Sequence, residues 1–243
     1  MLIQADMHTH TVASTHAYST VTENCIQAQK IGVKCIAMTD HAMYMPDSPH
    51  IWHFGNMSVL PREIFGVTVL KGAEANIIDY EGNLDIVDGK PYMLEFLIAS
   101  YHRYYFADFA VPSPKTVTDG YMKLFENPSV DVIGHPTTAK FPVEWDRFVK
   151  GALEFGKLPE LNESSVRTGK TPPNIVVEML RTCKKYGCSI LVNTDSHFWS
   201  TVGQTPLCEK ILTEADFPRS LVANANWEEL RAILLHKRPY LDI

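Results

Sequence analysis

Asp6-Met7-His8-Thr9-His10 stands near the start of the chain, followed by His16 and then by Thr39-Asp40-His41. Side chains two residues apart on a strand share a face, so His8 and His10 present two imidazoles to one cation. Imidazole is a usual ligand for zinc, iron or nickel, whereas carboxylates favour harder ions. More residues of the same chemistry recur along the chain: Glu74, His102, His135, Asp195 and His197. A single H-x-H is weak evidence for a metal. Whether these residues meet depends on the elements that carry them.

Short apolar segments alternate with amphipathic ones. Strand-like runs fall at Leu2–Asp6, Cys35–Thr39, Val67–Lys71, Phe96–Ser100, Val130–Gly134, Glu160–Glu163 and Ser189–Asn193. The Val-rich third and fifth suit strands buried on both faces. Thr22 is a plausible cap for a helix that runs to Gly32, a natural stop. A second helix is expected over Ile175–Tyr186, after Pro172-Pro173 and before Gly187. Val143–Phe155, Lys115–Glu126 and Trp227–Leu235 (with Asn226 as cap) complete the helical pattern. Tyr44–Pro61 has no clean period and reads as a long loop, a kind of segment that is usually functional in compact domains. Strands alternating with helices imply an α/β fold with a mostly parallel sheet, open or closed into a barrel.

Overlaying the ligand types on these strands gives the main inference. His8 and His10 follow the first strand, His41 the second, Glu74 the third, His102 the fourth and His135 the fifth. Asp195 and His197 follow the last, and His16 lies in the first loop. Catalytic groups on α/β barrels gather at the C-terminal ends of several strands. So many imidazoles at one barrel mouth need something to bind, because buried polar groups require partners. His50, His53 and His236 read as ordinary surface or core histidines. Asp6 and Asp40 flank ligand positions, where a carboxylate either orients a metal-bound imidazole or caps a strand end. Ser14, Ser19 and Ser196 lack the G-x-S-x-G elbow of a serine nucleophile.

The bulk properties agree with this class and exclude others. A chain of 243 residues with 45% hydrophobic and 21% charged residues has the composition of a globular protein of single-barrel size. A net charge of −6 without a basic run disfavours nucleic acid as partner. No signal peptide or membrane span is evident. The five cysteines show no C-x-x-C pair and read as small buried hydrophobes of a reducing compartment, which points to the cytoplasm. Oligomeric state is not legible, and a homo-oligomer is compatible with the sequence. The aromatic run 101–109 reads as burial under a loop, with a pocket wall or subunit contact as alternatives.

As a set, DMHTHTVASTHAYS (6–19), MTDHA (38–42), GAEANI (72–77), ASYHR (99–103), IGHP (133–136) and NTDSH (193–197) closely resemble the PHP (polymerase and histidinol phosphatase) superfamily, in particular the YcdX-type phosphatases. The resemblance covers essentially the whole chain as one PHP domain, 1–243. It implies a distorted seven-stranded (β/α) TIM-like barrel with three divalent metal ions. One ion would take His8, His10, Glu74 and Asp195. A second would share Glu74 and add His102 and His135, and a third would take His16, His41 and His197. Zinc is favoured for an all-N/O set, with iron and manganese as alternatives.

Divalent ions lower the pKa of water to about 7 and neutralise phosphoryl oxygens. The expected activity is therefore hydrolysis of a small phosphorylated metabolite by a hydroxide bridging two metals, with Glu74 and Asp195 as the catalytic ligands. Arg103 and Arg167 are candidate phosphate contacts. Alternatives are a histidinol-phosphate phosphatase, a PHP-type nuclease and a non-catalytic metal-binding regulator.

Overall fold

The computed structural model describes residues 2–86, 94–106 and 110–243. Its strands are β1 (Ala5–Thr9), β2 (Cys35–Met38), β3 (Glu63–Ile64), β4 (Val67–Asn76), β5 (Phe96–Ser100), β6 (Val132–Ile133), β7 (Leu158–Asn162) and β8 (Leu191–Asn193). They pair in the order β1-β2-β4-β5-β6-β7-β8, all in parallel, while β3 pairs antiparallel with β4. The helices are α1 (Val21–Ile31), α2 (Trp52–Gly55), α3 (Pro114–Phe125), α4 (Trp145–Glu154), α5 (Glu163–Arg167), α6 (Pro173–Tyr186), α7 (Pro206–Glu214) and α8 (Trp227–Lys237). Seven parallel strands with helices between them form the expected distorted, nearly closed (β/α) barrel.

Local sequence accounts for the helix ends. Thr20, rather than Thr22, caps α1: its hydroxyl accepts from Glu23 N, and Glu23 in turn accepts from Thr20 N. This reciprocal pair satisfies two otherwise unpaired donors. At the other end Gly32 takes the left-handed conformation (φ 79°) that a side chain disfavours. In α4 the buried Trp145, Phe148, Val149 and Ala152 follow the helical repeat onto the core. Helix α8 begins after its expected cap, Asn226, whose side chain accepts from Glu228 N. The segment 44–61 is mostly irregular, holding only α2 and one 3-10 turn (Met57–Val59).

The distortion lies at the seam between β8 and β1. Among the described residues, the one direct backbone link is an isolated bridge from Thr9 of β1 to Ser196, just beyond β8. Side chains from a later segment fill the gap: Asn224 Nδ2 donates to Ala5 O (2.8 Å) and Val192 O (2.6 Å), and its Oδ1 accepts from Val192 N (3.0 Å). Asn193 Oδ1 accepts from Met7 N (3.0 Å). Asparagine thus supplies the donors and acceptors that a missing strand would have provided.

Several strand assignments move: β7 runs Leu158–Asn162 because Glu163 opens α5, and β6 and β8 are shorter than expected. β1 begins later than expected because Gln4 N bonds Asn224 O instead of extending the strand, so His8 lies inside β1. β4 runs on to Asn76 and takes in Glu74. Its first half pairs with β2 and its second half with β5, the stagger that closing a barrel requires. Gly72 stands at the changeover, where a Cβ would come within 2.5 Å of Phe96 O. Inside the barrel Ala5, Met7, Ala37, Leu70, Phe96 and Ile98 form one apolar cluster, sealed by Leu230 and Leu234 of α8. The five cysteines are buried and unpaired. Among the described residues, no helix is long and apolar enough to cross a membrane.

Candidate metal centre

A bulge in β1 aims the first two histidines. β1 pairs with β2 as Ala5 with Cys35 and Asp6 with Ile36, then Thr9 with Met38, so β1 carries one extra residue. Such a bulge reverses the alternation of faces. Ala5 and Met7 point into the apolar interior, and beyond the bulge His8 and His10 point inward as well.

Glu74 is the centre of the cluster. Its carboxylate is 1% exposed. Oε2 lies 2.9 Å from His41 Nδ1, 3.4 Å from His8 Nε2 and 3.7 Å from His10 Nε2. Oε1 lies 3.0 Å from His135 Nε2 and 3.4 Å from His102 Nε2. Asp195 closes the far side, with Oδ1 3.1 Å from His10 Nε2 and 3.7 Å from His8 Nε2. His197 packs 4.3 Å from His10 and 4.4 Å from His16, ring centre to ring centre. His16 is half exposed and lies 5.3 Å from His41, at the open edge. All nine predicted ligand positions therefore gather at one end of the barrel.

Polar atoms outside the cluster orient several of these rings. Glu160, fully buried, lies 2.8 Å from His8 Nδ1 and accepts from it, which leaves His8 Nε2 turned inward toward Glu74. Asn76 Oδ1 holds His102 Nδ1 at 2.6 Å, and Asp47 Oδ2 holds His16 Nδ1 at 2.6 Å. Backbone strain marks the same place. Among the described residues four non-glycines have positive φ, and two of them are His135 (29°) and Asp195 (52°). This conformation costs about 1–2 kcal/mol per residue. It persists where surrounding bonds over-determine it: His135 N donates to Glu160 (2.8 Å) and Asn162 Nδ2 to Asp195 (3.3 Å).

The donor set fits divalent cations. His8 Nε2, both ring nitrogens of His10, His41 Nδ1 and His197 Nε2 are buried without a hydrogen-bond partner. Buried polar atoms left unpaired are costly, and a cation in their midst satisfies them. Four overlapping groups have ligand atoms mutually within 4.8 Å: His10-His41-His197, His8-His10-Glu74, His16-His41-Asp47 and His41-Glu74-His102. Electrostatics point the same way. Burial opposes ionisation of Glu74, but the His8, His102 and His41 rings hold its carboxyl well below the usual range. Burial, then His41, pushes the His10 imidazole down to about 3, which keeps the ring neutral with one nitrogen lone pair available.

Comparison with known proteins places this arrangement. Residues 6–160 match the PHP domain. The chain belongs to the PHP domain family. It is 40% identical over 243 residues to a protein of Clostridium novyi named a probable phosphatase, covering 98% of this chain and 97% of that one. Among solved structures, histidinol phosphate phosphatase from Lactococcus lactis, complexed with zinc, L-histidinol and phosphate, superposes with a TM-score of 0.59 at 14% identity, covering 90% of this chain and 95% of that one. A chain from an archaeal ribonuclease P with mature tRNA gives 0.60 at 9% identity, over 98% of this chain and 93% of that one. At such identities the likeness is one of fold.

The PHP cluster of this chain is flanked by two cavities. Arg103 lines one, of about 390 Å3, together with His102, His135 and Asp195. Arg167 lines another, of about 230 Å3, with Asp195 and His197, and pairs with Glu163 at 3.3 Å. Asp6 and Asp40 do not orient any of the candidate ligand histidines. Asp6 accepts from Thr194 and Gly203, holding the loop after β8. Asp40 accepts from Thr11 and Ser14, holding the loop after β1, and lies 3.2 Å from His53. Glu160, Asn76 and Asp47 do the orienting, and sequence reasoning missed all three. A carboxylate inside an otherwise apolar strand was the available signal for Glu160. Asp47, in an irregular loop, offered none. Of the aromatic run, Tyr101 is buried, Tyr104 is exposed, and Phe109 lies outside the described residues.

Proposed function

We propose that this protein is a metal-dependent phosphatase of small phosphate esters, its metals held by His8, His10, His16, His41, Glu74, His102, His135, Asp195 and His197. The observation that carries the reading is Glu74, buried among five imidazoles whose inward nitrogens are largely unpaired. The name shared by close relatives supports the phosphatase activity. The proposed division has three cations: one at His8, His10, Glu74 and Asp195, one at Glu74, His102 and His135, and one at His16, His41 and His197. Zinc is proposed ahead of iron and manganese, in keeping with an N/O donor set. The PHP domain is proposed to run through 1–243, because β8, after residue 160, extends the same sheet.

Divalent cations here would supply a nucleophile from water near neutral pH and neutralise phosphoryl oxygens. The chain's own groups do the rest. Glu74 and Asp195 bring negative charge between the imidazoles and so set how closely cations are held. Glu160 and Asn76 keep the outer protons of His8 and His102 fixed, so that the inner nitrogens stay basic. Arg103 and Arg167 stand at the two cavities that reach Asp195 and are proposed to orient the ester from either side.

The test is elemental analysis of the purified protein together with a panel of phosphomonoesters and diesters. Monoester hydrolysis lost on chelation and restored by a divalent metal is the expected result. Hydrolysis that survives with metal content near zero refutes the proposal.

A further inference from the structure

The cavity beside His102, His135 and Asp195 is chemically lopsided. Its floor holds those three groups, His135 buried and the other two mostly so, and its mouth carries Arg103, Lys140 and Lys170, all exposed. One wall is apolar, with the rings of Tyr101 and Phe141 stacked at 4.9 Å. The lysines come from separate loops, after β6 and after α5, that are fastened together. Ala139 N donates to Lys170 O at 3.2 Å, and the hydroxyls of Thr137 and Thr171 meet at 3.2 Å. Neither lysine forms an ion pair among the described residues. Asp195 is the sole acid among the described residues lining the cavity, and its carboxylate faces His10.

Two lysines at the mouth of a small cleft, with no acid paired to either among the described residues, raise the local concentration of anions. A phosphate seated on a metal cluster already has its charge met there. Two lysines further out, on loops fastened to each other, therefore answer to a charge elsewhere on the substrate. An alcohol bearing an ammonium group would meet repulsion at the same place. We propose that Lys140 and Lys170 select phosphate esters whose alcohol portion carries a second anionic group, a carboxylate or another phosphate, and reject esters of amino alcohols. This rests on the phosphatase reading above and names its substrate class. A cavity of about 390 Å3 lies at the small end of ligand pockets and limits the alcohol to metabolite size.

The test uses non-hydrolysable ligands on the metal-loaded full chain, read by isothermal titration calorimetry. Benzylphosphonate, its para-carboxy and para-aminomethyl derivatives, and para-xylylene bisphosphonate differ only in the outer group. The carboxylate or the bisphosphonate should bind about tenfold tighter than benzylphosphonate, the size expected of two exposed charge pairs, and the amine should bind more weakly. Whichever of the two anions binds more tightly identifies the outer group as carboxylate or phosphate. Lys140→Glu with Lys170→Glu should reverse the order of anion and amine, and Lys140→Ala with Lys170→Ala should erase it. Equal affinities in the wild type, or an order that survives charge reversal, overturns the proposal. Turnover of phenyl phosphate and of para-carboxyphenyl phosphate is measured in parallel: absence of both refutes the phosphatase reading, while the binding order still decides the role of the lysines.

Discussion

Glu160→Gln separates a residue that builds the metal centre from one that merely fills the core. The carboxylate accepts four hydrogen bonds: from His8 Nδ1, His135 N and Asn193 Nδ2 at 2.8 Å, and from Asn162 Nδ2 at 3.0 Å. Glutamine has the same shape but one acceptor oxygen, and its amide N–H groups then face donors. Bonds to a charged group contribute about 1.5–3 kcal/mol each against about 1 kcal/mol for neutral ones. Losing the charge and opposing one donor pair should therefore destabilise the metal-free protein by roughly 2–4 kcal/mol. The second consequence is specific to the site. His8 loses the partner that fixes its Nδ1 proton, and orienting partners of this kind are worth about 10–100-fold in metal affinity. The assay is zinc competition against a chromophoric chelator, with thermal unfolding of the metal-free form measured alongside. Lower stability with unchanged zinc affinity would show that Glu160 serves packing alone, and the reasoning about His8 would fail.

Glu74→Gln should lower phosphomonoester turnover by roughly two orders of magnitude or more, because the carboxylate proposed to be shared between cations is weakened; near-normal turnover with a full metal complement refutes that proposed role. Gly134→Ala should cost about 1–3 kcal/mol by overpacking, since its Cβ would meet Ser100 Oγ at 2.1 Å and Ile98 Cγ2 at 2.8 Å. Ser100→Ala should restore part of that loss, as Ser100 Oγ has no hydrogen-bond partner; absence of rescue in urea denaturation refutes the steric account. Burial, reinforced by Lys237 and opposed by Asp131, pulls the Lys157 ammonium down to about 7. The unfolded chain then holds a proton that the folded chain lacks between about pH 7 and 10, so stability rises with pH across that window. Lys157→Met should flatten this slope, and a slope unchanged in the variant refutes the assignment.

The proposed ligand positions were legible because most of them lie at or just beyond the ends of apolar runs, where His, Glu or Asp takes over. β5, from Phe96 to Ser100, was found to the residue for the same reason. β1 was misplaced because Leu2-Ile3 is apolar without being sheet. The bulge that follows Asp6 depends on pairing with β2, and nothing local in Met7-His8 announces it. The partners of Glu160 and Asn76 were not legible for a related cause, although a carboxylate within the Glu160 strand was itself a signal. Each meets a histidine far away in the chain, and a hydrogen bond across the barrel leaves no periodic trace. The lysine rim escaped notice because a solvated Lys140 and a cavity-facing Lys140 have the same sequence surroundings.

The weakest seam of the barrel and its proposed metal centre coincide, and this bears on how the centre is held. Between β1 and β8 a single bridge and the Asn193, Asn224 and Asp6 side chains stand in for a ladder. His8 and His10 sit on one side of that seam, and Asp195 and His197 on the other. A cation shared by His8, His10 and Asp195 would join the two edges directly. Its binding free energy would then be realised only in the closed barrel, because the unfolded chain keeps those ligands far apart in sequence. The strained φ angles of His135 and Asp195 fit the same logic. Strain at the ligands is tolerable where binding recovers it, and the missing ladder leaves the barrel mouth room to adjust to the ions it holds.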